Sequence, residues 1–78
     1  MEWYEYIVSD RDILLGKPTI RNTRISVELL LELLSGGWTD KMIFESYPHI
    51  KPVHLQAVFA YLKDCMQHEL FFPLSKSA

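Results

Sequence analysis

Residues 26–37, Ser26-Val27-Glu28-Leu29-Leu30-Leu31-Glu32-Leu33-Leu34-Ser35-Gly36-Gly37, carry the start and stop signals of a helix. The Ser26 hydroxyl suits the cap position, where it accepts a hydrogen bond from an otherwise unpaired amide of the first turn. Gly36-Gly37 ends the helix, because glycine leaves through left-handed backbone without a Cβ penalty. At about 100° per residue, Val27, Leu30, Leu31 and Leu34 share the face expected to meet the core. Leu29 and Leu33 lie nearly opposite, and only Glu28 and Glu32 form a polar stripe. A helix apolar on two sides needs cover from more than one neighbour: the N-terminal strand, the C-terminal tail or a second subunit.

Beyond Gly37, Thr39 caps a second, shorter helix to about Ser46, with Asp40 favourably placed in its first turn. Pro48 ends it, because the residue before a proline is pushed out of helical geometry. Ile43, Phe44 and Tyr47 should face inward. Pro52 suits the first position of a third helix reaching about His68. Leu55, Val58, Phe59, Leu62 and Met66 recur at helical spacing and predict its buried stripe. His54, Gln56, Ala57, Ala60 and Tyr61 are then expected on exposed faces. Upstream, Tyr4 to Val8 reads as a short strand, Ser9 to Asp12 as a turn, and Gly16-Lys17-Pro18 as a break. Thr19-Ile20 and Arg24-Ile25 read as two very short strands around a corner at Asn22, a residue that tolerates left-handed backbone.

The organisation is therefore one mainly α domain: a short β segment and basic loop (1–25), a three-helix bundle (26–68) and a C-terminal tail (69–78). A chain of 78 residues holds one core. At this size it buries only about 60–65% of its unfolded surface, so dimerisation is expected. Ten aromatic residues and a 49% hydrophobic content argue against disorder. No stretch is long and apolar enough for a bilayer, and acidic Glu2, Glu5 and Asp10 do not fit a secretory signal. The single cysteine, Cys65, forms no internal disulfide, which suits a reducing cytoplasm. Net charge is −2, which excludes a strongly basic nucleic-acid binder but leaves a local patch between residues 11 and 24.

The runs Gly16-Lys17-Pro18-Thr19-Ile20-Arg21-Asn22-Thr23-Arg24-Ile25-Ser26-Val27, Leu33-Leu34-Ser35-Gly36-Gly37-Trp38 and Ser46-Tyr47-Pro48-His49-Ile50 resemble the domain of unknown function 433 family, over about two thirds of the chain. That family includes VapB-like antitoxins. The resemblance implies a homeodomain-like helix-turn-helix bundle preceded by a short β segment, and pairing with PIN-like ribonuclease toxins. Two positions depart from the family pattern, Leu15 and Asn22, both where glycine is usual.

These signals predict an antitoxin that binds a PIN-like toxin and operator DNA as a homodimer. The alternative is a protein-interaction module without DNA activity. In a helix-turn-helix the second helix enters the major groove, so Gln56, Ala60 and Tyr61 are candidate base contacts. Lys17, Arg21 and Arg24 are candidate phosphate contacts, or else are tied to acidic residues within the fold. Leu29, Leu33, Phe71, Phe72 and Leu74 are candidate partner or subunit contacts.

Catalysis is not expected. Gly16-Lys17-Pro18-Thr19 lacks the glycine spacing of a phosphate loop, and Pro18 removes an amide. His49, His54, Cys65 and His68 are too scattered for a metal set, so no metal or cofactor is expected. Glu28 and Glu32 read as a solvated stripe.

Overall fold

The computed structural model describes residues 1–68. Within them the chain is mainly helical, with three helices and a two-stranded antiparallel sheet near the N-terminus. Helix α1 spans Val27–Ser35, α2 spans Asp40–Ser46 and α3 spans Pro52–Gln67. Strands β1 (Ile7–Val8) and β2 (Thr19–Ile20) pair with Ile7 opposite Ile20 and Val8 opposite Thr19. No helix among the described residues is long and apolar enough to cross a membrane.

The helix boundaries follow local chemistry. The Ser26 hydroxyl accepts from the Leu29 amide at 2.9 Å, and the Thr39 hydroxyl accepts from the Met42 amide at 3.2 Å. Pro52 opens α3, where its missing N–H leaves no helix bond unmade. One residue earlier, the Lys51 amide donates to His54 Nδ1 at 2.8 Å, so the imidazole acts as the cap acceptor. Gly37 leaves α1 with φ of 101°, a left-handed conformation that costs glycine little.

The expected strand over Tyr4–Val8 is shorter than its composition suggests. Trp3–Glu5 forms a single 3-10 turn, and only Ile7–Val8 is extended. This strand pairs with Thr19–Ile20. The second expected strand, Arg24–Ile25, contributes instead a turn-closing bond from the Ile20 amide to the Ile25 carbonyl (2.9 Å) and a bridge between Thr19 and Ser26. Asn22 sits at the corner with φ of 65°, as its residue type predicts.

Ile7 and Ile20 from the sheet, Val27 and Leu30 from α1, Ile43 from α2, Ile50 from the loop, and Leu55, Ala57 and Val58 from α3 form one buried cluster. Leu31, Leu34, Phe44, Tyr47 and Leu62 pack against it in part, as their spacing predicts. Leu29 and Leu33 are half-buried on the other side of α1.

The buried side of α3 differs from the expected stripe. Leu55 and Val58 are buried and Leu62 is partly so, but Phe59 is 53% exposed and Met66 61% exposed. Ala57, expected on an exposed face, is fully buried. The cause lies at the other end of the chain. Trp3 stacks edge-on against Tyr61 (ring centroids 4.9 Å apart), and its Nε1 donates to Asp64 Oδ2 at 2.6 Å. Tyr6 meets His54 edge-on at 5.9 Å. The N-terminal turn therefore covers the side of α3 holding His54, Ala57, Tyr61 and Asp64. At about 100° per residue, the covered arc is displaced from the Leu55–Leu62 line, and Phe59 and Met66 are left on the solvent side.

Candidate interaction surface

Pro52, Gln56, Phe59, Lys63, Met66 and Gln67 are all exposed, and on a helix they fall within one arc. α3 thus presents a continuous strip in which a phenylalanine and a methionine alternate with amides and one lysine. A large aromatic more than half accessible is unusual for a side chain at core spacing, whereas single exposed leucines or methionines are common. No member of this strip makes a side-chain hydrogen bond or ion pair among the described residues.

The candidate base contacts divide between the two sides of α3. Gln56 stands on the open strip, one turn before Phe59. Ala60 is half-buried, and Tyr61 is held beneath Trp3 and packed on the core. Burial and hydrogen bonding to Cys65 push the Tyr61 phenol above its ordinary pKa. The N-terminal turn therefore stands over Tyr61, and among the described residues Gln56, Lys63 and Gln67 are the exposed polar side chains of the helix without a partner.

The three candidate phosphate contacts also separate. Lys17 Nζ lies 2.7 Å from Glu28 Oε1, and each group favours the charged form of the other: the lysine pKa is raised and the glutamate pKa lowered. Both side chains are exposed, so this contact is screened by water and salt and contributes little stability. Arg21 donates through Nε to the Glu5 carbonyl at 2.9 Å and through Nη2 to the Tyr4 carbonyl at 3.3 Å, which ties β2 to the N-terminal turn. Arg24 is exposed and makes no hydrogen bond or ion pair among the described residues. Of the predicted patch, Arg24 has no partner among the described residues, Arg21 pins the fold and Lys17 is ion-paired.

Among the candidate partner contacts, Leu29 and Leu33 are half-buried and less accessible than Phe59 and Met66. Phe71, Phe72 and Leu74 lie outside the described residues. The α3 strip escapes sequence reasoning because the helical spacing of Phe59 and Met66 assigns both to the core. The signal that bears on it is the pair of N-terminal aromatics Trp3 and Tyr6, which meet Tyr61 and His54 on the other side of α3.

An apolar groove of about 330 Å³ runs between α1 and α3, lined by Pro18, Val27, Leu31, Tyr61 and Leu62, with Lys17 and Glu28 at its edge. A second, more polar hollow of about 550 Å³ lies beside Arg11, Arg21 and Asn22. Among the described residues no group of three or more His, Cys, Asp or Glu is arranged to hold a metal ion.

A family model described as a protein of unknown function (DUF433) matches residues 7–62. The chain belongs to this family. No curated protein and no solved structure matches it. The matched residues take in the sheet, α1, α2 and the first eleven residues of α3 through Leu62, so Phe59 lies within the family region and Met66 beyond it. Both positions at which the DUF433 resemblance expects glycine, Leu15 and Asn22, have left-handed backbone here, with φ of 57° and 65°. The glycine preference has a direct steric reason at each.

Proposed function

We propose that this chain acts by binding rather than by catalysis, as the antitoxin of a toxin–antitoxin pair that holds a PIN-like ribonuclease through the open face of α3. One observation carries this reading: Phe59 and Met66, both more than half exposed, stand on one helical face with Gln56 and Lys63. An amphipathic helix presenting aromatic and methionine side chains with few charges matches the composition of protein-binding surfaces. Methionine adapts to irregular partner surfaces, and an exposed aromatic supplies a binding anchor at low entropic cost.

A second reading, operator DNA binding, is favoured by two observations. The α2–turn–α3 order matches a helix-turn-helix, and Gln56, Lys63 and Arg24 are free to reach a duplex. Against it, only one lysine lies on the exposed face of α3, while phosphate neutralisation dominates the affinity of most DNA binders.

Co-expression with the product of the adjacent gene separates the two readings. Co-purification that is lost with Phe59→Asp supports the protein-binding function. Co-purification that persists with Phe59→Asp, or none with the native chain, removes it, and a salt-sensitive mobility shift of upstream DNA by the chain alone supports the DNA reading.

A further inference from the structure

Leu14, Leu15 and Gly16 follow one another with φ of 50°, 57° and 86°, so three successive residues are left-handed and two of them are leucines. Left-handed backbone brings Cβ against the following carbonyl and is rarely adopted by a branched aliphatic residue. The turn holds Leu15 outward, 94% exposed, with no partner among the described residues. A glycine at Leu15 would relieve the strain, and the monomer would lose no packing. Among the described residues the side chain therefore packs on nothing, and strain of this kind concentrates at functional sites.

Two residues further on the chain enters the wall of the groove between α1 and α3. Lys17 and Pro18 line it at one end, with Val27, Leu31, Tyr61 and Leu62 as its apolar floor. A projecting leucine and an apolar recess lie at most about 7 Å apart along the chain. The recess is edged by one cation and one anion, Lys17 and Glu28, already 2.7 Å apart.

We propose that the occupant of this groove is a second copy of the chain, with each Leu15 seated in the other's recess. A two-fold interface requires one patch to carry both projection and recess, and the two-residue link from Leu15 to the groove wall at Lys17 is short enough for that. It also requires the patch to be its own electrostatic complement. One lysine and one glutamate at the rim satisfy that, because Lys17 of each copy can meet Glu28 of the other when the copies turn face to face. A partner of uniform charge would meet repulsion from one of the two. The proposal is independent of the α3 strip, since none of its residues belongs to that face.

The test is sedimentation equilibrium of the full chain over a wide concentration range, for the native sequence and for Leu15→Gly, Leu15→Asp and Phe59→Asp. The native chain is expected to dimerise. Leu15→Gly should weaken the dimer about 100-fold by removing two buried leucines, while raising the thermal midpoint of the monomer. That opposition of effects is not produced by a residue whose role is structural. Leu15→Asp should abolish the dimer, and Phe59→Asp should leave it intact. A native chain that stays monomeric at high concentration overturns the proposal, whether the groove then takes residues 69–78 or another protein. A dimer that survives Leu15→Gly unchanged overturns it equally.

Discussion

Trp3 decides which side of α3 is covered, and replacing it is a quantitative test of that arrangement. Trp3 is half-buried, meets Tyr61 edge-on with centroids 4.9 Å apart, and donates to Asp64 at 2.6 Å. An aromatic pair of this geometry contributes about 0.5–1.5 kcal/mol beyond its area. A hydrogen bond to a charged acceptor contributes about 1.5–3 kcal/mol, and partial exposure places this one near the lower figure. Half-burial of an indole adds about 2.5 kcal/mol, at ~25 cal/mol per Å² over roughly 100 Å². Releasing the N-terminal turn returns backbone entropy of about 1–2 kcal/mol per freed residue, which offsets part of the loss. Trp3→Ala should therefore destabilise the chain by about 3 kcal/mol, a large share of the ~4–12 kcal/mol expected for a domain of this size. Trp3→Phe keeps the ring and removes the donor, so it should cost about 1–1.5 kcal/mol. Combined with Asp64→Asn in a double-mutant cycle, it should show a coupling of about 1 kcal/mol. Urea unfolding followed by far-ultraviolet circular dichroism measures each value, since the peptide signal does not depend on the residue being replaced. Strict additivity of the pair, or a cost for Trp3→Ala under about 0.5 kcal/mol, would refute the covering role and restore Ala60 and Tyr61 as accessible groove contacts.

Four further outcomes are expected. Burial lowers the His54 pKa, and protonating Nδ1 would also forfeit the bond it accepts from the Lys51 amide. A depressed imidazole pKa means that the unfolded chain binds the proton more readily. Its contribution is present above the unfolded value near 6.5 and is lost as pH falls below it; thermal melts from pH 7.5 to 5 should show that loss, and His54→Glu should remove it while keeping a cap acceptor. Ser26→Ala should cost about 1 kcal/mol in chemical unfolding, because the Leu29 amide loses its acceptor, whereas Ser26→Asp should cost little. Leu15→Gly should stabilise the monomer by about 1 kcal/mol, read as a midpoint roughly 4–8 °C higher; a fall would show that the left-handed turn depends on the leucine. If the chain binds upstream DNA, Arg24→Ala should weaken it more than Lys17→Ala in a salt titration, since Arg24 has no partner among the described residues and Lys17 is paired with Glu28.

The three helices were legible because their ends are set by neighbours in the chain. Ser26 and Thr39 cap through side-chain oxygens three residues from the amides they satisfy, Pro52 fixes its own backbone angle, and Gly37 is left-handed where the stop was expected. Asn22 was legible for the same reason. The face of α3 was not. Leu55, Val58, Phe59, Leu62 and Met66 have core spacing, but spacing identifies a stripe without fixing how far the covered arc extends to either side. Here the arc is fixed by a tryptophan 61 residues earlier in the chain than its aspartate partner, and no local rule anticipates such a pairing. The separation of the three cations was beyond local reading too, because Arg21 is held by carbonyls of the N-terminal turn. The family match reached the region as a whole but carries no role for any residue in it.

The most direct measurement is calorimetric titration of this chain, native and with Phe59→Asp, against the purified protein encoded next to it. Saturable binding to the native chain, weakened about 100-fold or more by the substitution while the thermal midpoint stays nearly constant, is the predicted result. Equal affinity for both forms would contradict the account, and so would the absence of any heat of binding with the native chain.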